Sequence, residues 1–243
     1  MKCKLCDEEQ KLIQAHIIPR SFHEPLKQSG QIPIIITSKE GVYPKRSQTG
    51  VYDTEIVCED CEKIFSPWDD YGNKFLFQEL GDSNYIVSNG ERIAYNFGVC
   101  DYEKLKLFFM SMLWRASVSK QDLFSNVQLG PYEDKLKELI LSKNAGEVED
   151  FAIALSKFDA PPNETGILNP DRTRYDGVIH YRFYLGGYMA IIKVSNQPTP
   201  NCFRGLYLER GQNVYFIIRE FKQSKEYAAM VYTAKNARNP GKS

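Results

Sequence analysis

No apolar run in this 243-residue chain approaches the ~20 residues that span a bilayer, so no membrane partner is expected. The opening residues, MKCKLCDEEQK, have no apolar stretch of the kind a secretion signal needs, and a cytoplasmic location is expected. Neither charge is in surplus: 31 Lys and Arg balance 31 Asp and Glu, so any grip on nucleic acid has to come from a local basic surface. Internal repeats and low-complexity tracts are missing, which excludes collagen-like and fully disordered chains. What is present is an ordinary globular composition, 42% hydrophobic and 13% aromatic, enough for a small domain followed by a medium one.

Cysteine carries the first positive signal. Four of the six stand in two identical pairs, Cys3-x-x-Cys6 and Cys58-x-x-Cys61, while Cys100 and Cys202 stand alone beside apolar residues. In a reducing compartment a disulfide framework is not expected. Two C-x-x-C pairs instead fit a tetrahedral four-cysteine Zn²⁺ site, since a two-residue gap lets both sulfurs of a pair turn toward one ion. The alternative is a pair of redox motifs, which predicts reversible thiol oxidation. As many as 51 residues separate Cys6 from Cys58, so the ion would clamp segments distant in sequence.

Between the pairs, Leu12 to Pro19 reads as a short strand with His16 near its end, and Ser21 to Gln28 as a helical turn. Ile32 to Thr37 reads as a strand, and Lys39 to Asp53 as a polar loop. After the second pair a helix starts at Glu59. Ser66-Pro67 reads as the N-cap and first position of a further helix through Leu80, so an unbroken helix from Glu59 is not expected.

Gly81-Asp82-Ser83-Asn84 marks a boundary, giving two expected domains, 1–80 and 81–243. Apolar residues at helical spacing predict a helix over Asp101 to Ser119, capped by Asp101, and another over Pro131 to Lys143. Strand patterns follow at Phe151 to Leu155, at Tyr181 to Val194 around Gly186-Gly187, and at Val214 to Ile218. Asp171 to Arg174 reads as a polar turn, Glu226 to Ala234 as a short helix, and Asn236 to Ser243 as a frayed tail. The second domain is therefore expected to be α+β, with two leading helices and an antiparallel sheet, and to offer a surface for substrate or a protein partner. Residues 1–80 carry a net charge of −3 and residues 81–243 one of +3, which points away from simple backbone binding by the first part.

The order Cys3-x-x-Cys6, Ala15-His16-Ile17-Ile18-Pro19, Cys58-x-x-Cys61-Glu62 resembles an HNH-type nuclease domain. The resemblance covers roughly residues 1–70. It implies a ββα-metal, treble-clef fold and a metal-dependent endonuclease cutting nucleic acid, DNA above all. By position it implies His16 as the base that activates water, a role suited to a side chain titrating near pH 6.5. The family's central asparagine corresponds to Asp53, its final metal-binding histidine to Glu62, and the residue before the base to Ala15. Asp53 and Glu62 suit Mg²⁺ or Mn²⁺, since hard cations prefer carboxylate oxygen. These departures also fit a second reading, a non-catalytic zinc-stabilised module that binds nucleic acid or protein. The whole chain, with Trp114 to Ser119 and Leu129-Gly130-Pro131, further resembles a group of uncharacterised bacterial proteins. Of the other histidines, His23 is expected on the surface of a short helix and His180 in a partly buried strand.

Overall fold

A computed structural model describes residues 1–26, 34–35, 45–47, 49–78 and 81–236. The chain is mixed α+β. Short strands open it: β1 (Ala15–His16), β2 (Ile34–Ile35), β3 (Lys45–Arg46) and β4 (Tyr52–Asp53), with a 3-10 segment Arg20–Leu26 after β1. β1 pairs antiparallel with β4, and β2 with β3. The remainder of the expected strand at 32–37 lies outside the described residues, as do 39–44 and 48 of the expected loop and the tail from 237 onward; the described part of that loop holds β3 and β4 instead, each paired in a short antiparallel ladder.

Helix α1 (Glu59–Leu76) runs on through Pro67 without a break. This corrects the expected restart at Ser66. A proline inside a helix costs ~3 kcal/mol. Against it stands one continuous buried stripe, Cys61, Phe65, Trp68, Gly72, Phe75 and Leu76, which only an unbroken helix keeps on a single face. Helix α2 (Tyr102–Val118) follows as expected, with the Asp101 carboxylate accepting from the Lys104 amide. It is buried on nearly every side and forms the centre of the core. The two helices meet where Gly72 lies flat against the Phe108 ring, and an added Cβ would come within 2.6 Å of it.

The remaining elements are β5 (Tyr85–Ser88), β6 (Glu91–Val99), α3 (Tyr132–Leu141), β7 (Ile153–Phe158), a single turn α4 (Pro162–Thr165), β8 (Asp171–Tyr175), β9 (Val178–Leu185), β10 (Tyr188–Lys193), β11 (Asn213–Arg219) and α5 (Lys225–Asn236). Seven strands form one sheet in the order β5-β6-β11-β7-β10-β9-β8. The sheet is mixed rather than antiparallel: β11 runs parallel to β7, with Phe216 opposite Leu155. The chain lays β8, β9 and β10 on one side of β7, then crosses back to insert β11 on the other. A hairpin, β5–β6, also precedes α2 and α3. It turns at Asn89-Gly90, both at positive φ as a two-residue hairpin turn requires. Asp171 to Arg174, read as a turn, is edge strand β8.

The larger apolar cluster joins residues on both sides of position 80, from Leu5, Ile17 and Phe65 to Leu113, Ile153 and Phe216. A smaller one on the opposite face of the sheet holds Phe158, Phe203 and Phe221 and is flanked by Tyr227 and Met230 of α5. Among the described residues no helix is long and apolar enough to cross a membrane.

Candidate metal centre

Two tight turns bring the four cysteines together. In the first, the Cys3 amide donates to the Glu8 carbonyl and the Asp7 amide to the Cys3 carbonyl, with Asp7 at φ 64°. The Lys4 amide donates to Ile56, and Ile13 to Val57, which fastens this turn to the segment leading into α1. In the second, Cys58 is the residue before the first turn of α1, and its amide points at the Cys3 sulfur, 3.4 Å away.

The ligand atoms of Cys3, Cys6, Cys58 and Cys61 all lie within 4.8 Å of one another, and the cysteines are free thiols. Cys3 and Cys61 sulfurs are 3.7 Å apart, Cys6 and Cys58 sulfurs 3.9 Å. A tetrahedral ion with bonds of 2.3 Å sets its ligands about 3.8 Å apart. The four cysteines are thus positioned to bind a metal ion with the geometry of a structural zinc site. Burial resists ionisation of Cys3, but amide donors of Cys6, Cys58 and Leu5 outweigh it and bring its thiol down to about 7. Burial and the neighbouring thiols push Cys61 up. A cation at the centre removes that conflict, because it favours the thiolate form of every ligand.

The second group of site residues lies on β1, β4, α1 and α2. His16 is half-buried on β1, and its Nε2 lies 3.0 Å from the Thr49 carbonyl oxygen. A carbonyl can only accept, so Nε2 carries the proton and Nδ1 is left with a lone pair. Burial lowers the His16 pKa, the Thr49 bond works the other way, and Arg115 and Arg20 reinforce the lowering. The net effect favours the neutral ring.

Asp53 is placed differently from expectation. In the β1–β4 pair, His16 stands opposite Tyr52 and Ala15 opposite Asp53, so Asp53 faces away from the imidazole. One of its oxygens accepts from the Glu55 amide, the other from the Ser119 hydroxyl at 2.8 Å and the Lys120 amide at 3.0 Å. It ties β4 to the end of α2 and has no place in a shared site with His16.

Glu62 lies on the first turn of α1, directly after Cys61. Burial raises its carboxyl, and its Oε2 is buried without a hydrogen-bond partner among the described residues. Two turns further along the same face is Asp69, which the unbroken helix keeps in line. Arg115 of α2 clasps it with two nitrogens at 2.7 and 2.9 Å and also donates to the His16 carbonyl at 2.8 Å. Arg115 acts electrostatically on both His16 and Glu62, as does Asp69. The structure therefore groups His16, Glu62, Asp69 and Arg115, and leaves Asp53 out. Arg115 was not expected here; the only trace in the sequence is a guanidinium inside the apolar run from Leu107 to Ala116.

The other two histidines are buried. His23, expected at the surface, is 5% exposed, its ring packed flat on Gly50. His180 lies in β9 with Nδ1 3.0 Å from the Val178 carbonyl and Nε2 2.8 Å from the Tyr207 hydroxyl. Compared with protein-family models, with curated proteins and with solved structures, the chain matches none of them.

Proposed function

We propose that this chain is a divalent-metal-dependent phosphodiesterase acting on nucleic acid, DNA in the first instance, whose four-cysteine site holds a structural zinc. The observation that carries the reading is the oriented, neutral imidazole of His16. The Thr49 carbonyl selects the tautomer with the proton on Nε2 and burial favours the unprotonated form, which leaves Nδ1 to take a proton from an attacking water. The water oxygen then attacks phosphorus, and the ester oxygen on the opposite side departs with the bond electrons.

The residues present fit a cation of the magnesium kind. Glu62 Oε2 is a buried carboxylate oxygen with no hydrogen-bond partner among the described residues, and such ions are commonly held by one or two carboxylates, with water and substrate phosphate completing the shell. When bound, the ion supplies charge stabilisation to the phosphate and leaving oxygens. Arg115 holds the strand that carries His16, and Asp69 orients Arg115. With both of these groups engaged internally, a second reading stands beside the first: a non-catalytic zinc-stabilised module that binds nucleic acid or protein.

Incubating the zinc-loaded protein with supercoiled plasmid and Mg²⁺ or Mn²⁺ separates the two. The hydrolytic reading expects nicking that His16→Ala lowers by about 10²–10⁴-fold, and whose metal requirement rises in Glu62→Gln. Absence of metal-dependent cleavage, or cleavage indifferent to His16→Ala, leaves the binding module.

A further inference from the structure

A cavity of about 490 Å³, with none of the four cysteines in its lining, lies between the Arg20–Leu26 segment, the chain from 163 to 171, β9 and α5. Its volume falls in the range of about 300–1,000 Å³ usual for small-molecule sites. Leu26, Val51, Leu123, Leu168 and Met230 give it an apolar interior. One wall is ionic and already satisfied. Arg182 holds Asp171 through two contacts of 2.7 and 2.6 Å and reaches Glu226 at 3.3 Å. Glu226 is in turn held by Arg219 at 3.1 Å, and the Tyr184 hydroxyl donates to Asp171 at 3.1 Å. Two guanidinium groups thus face two carboxylates, and among the described lining residues no buried charge is left uncompensated. Lys225 is at the exposed rim, where water serves its ammonium group. The side chains of Asn126 and Asn163, also exposed, offer neutral donors and acceptors at the mouth.

We propose that this cavity is a binding site for an uncharged, largely apolar organic molecule. A charged ligand would either break the Arg182–Asp171 pair or bury its own charge unpaired, and both cost more than a neutral ligand of the same size. The site also has a mechanical link to His16. Val51 and His23 line the cavity, and between them in space is Gly50, held at φ 86° with the His23 ring against it; any Cβ there would fall 2.2 Å from that ring. The neighbouring Thr49 carries the carbonyl that orients His16, while the Val51 carbonyl accepts from the Ile17 amide. A ligand pressing on Val51 and His23 moves the segment that positions the imidazole. Binding stands apart from the hydrolytic reading, whereas this coupling concerns the same histidine and deepens it.

The test titrates full-length, zinc-loaded protein with Nile red, an uncharged dye, and with anilinonaphthalene sulfonate, an anionic one. Saturable binding of one Nile red per chain is expected, with the sulfonate at least about tenfold weaker. Ala229→Trp puts an indole into the cavity from α5. Ala228→Trp, one residue away and outside the lining, makes the same change in helix propensity, and both positions are exposed, so folding is retained. Nile red affinity should fall by about tenfold or more in Ala229→Trp and stay unchanged in Ala228→Trp. Equal affinity in both variants, or no saturable binding, overturns the site; equal binding of the anionic dye overturns the ligand class. The His16 ring resonances, followed by NMR with no assay of cleavage, should shift when the dye binds the parent protein. Resonances that stay fixed overturn the coupling and leave the site standing.

Discussion

Arg115 and Asp69 pair across the α1–α2 interface, two nitrogen–oxygen contacts of 2.7 and 2.9 Å joining a guanidinium that is 0% exposed to a carboxylate that is 15% exposed. The remaining donors are used as well: Nη1 also reaches the His16 carbonyl and Nε the Ser111 carbonyl, while the guanidinium stacks 4.8 Å from the Phe65 ring centre. One side chain from α2 therefore holds the strand of the proposed base and the helix that begins at the metal centre.

Removing Arg115 should strand a buried carboxylate. Arg115→Met is expected to destabilise the protein by about 3–5 kcal/mol, the usual cost of leaving one member of a buried pair behind. The double variant Arg115→Met, Asp69→Leu should regain much of that loss, since no unpaired charge remains. Urea unfolding of the single and double variants measures both. A single variant as stable as the parent would contradict the pairing.

The four cysteines should bind one zinc per chain, measurable by elemental analysis of dialysed protein. At free zinc about 1,000 times its Kd the ion adds about 4 kcal/mol of stability, which chelation should remove. Cys58→Ser should lose both the zinc and the stabilisation. Its effect ought to exceed that of Cys202→Ser, because Cys202 is exposed and takes no part in the cluster.

The four-cysteine cluster was legible because C-x-x-C spacing is a local constraint, satisfied within one turn of chain, and its two copies name both halves of it. α2 and α3 were legible for a similar reason, in apolar residues that recur at helical spacing, although α2 is in fact buried on nearly every side. The misreading of α1 came from Ser66-Pro67, a pair that favours a helix start on local grounds and is overruled by the stripe from Cys61 to Leu76. The β5–β6 hairpin had a usable signal in Asn89-Gly90, but residues 85–99 alternate too weakly to stand out. The parallel β7–β11 pair had none, since it depends on a crossover spanning the intervening meander. The same holds for Asp53 and Arg115. Their partners lie 66 and 67 residues away for the first, and 46 and 99 for the second, distances over which sequence pattern carries no information.

Asp53→Ala should therefore act on stability rather than chemistry. It deletes three hydrogen bonds to a carboxylate and leaves the Ser119 hydroxyl and two amides to find water, at about 2–4 kcal/mol in total. If the protein cleaves DNA, the folded fraction of this variant should keep its kcat within about twofold. A large loss of kcat in well-folded Asp53→Ala would return the residue to the site.

His180 should make stability depend on pH in a predictable direction. Its Nδ1–H donates to the Val178 carbonyl and its Nε2 accepts from Tyr207, so the native structure is built for the neutral ring. Burial lowers its pKa, with the Lys193 ammonium adding to the effect. The unfolded chain, titrating near 6.5, then binds more protons than the native one whenever pH lies below that value. Stability is fully present above about pH 6.5 and is lost as pH falls, by at most about 1.4 kcal/mol per pH unit for this one group. His16, lowered in the same direction, adds a parallel loss. His180→Gln keeps a neutral hydrogen-bonding side chain but cannot take up the proton, so it should cost stability at pH 7 and progressively less toward pH 5. Urea unfolding of parent and variant at pH 7, 6 and 5 gives the difference directly, with the His16 contribution cancelling. A gap that stays constant across this range would mean that His180 is not held neutral by the fold.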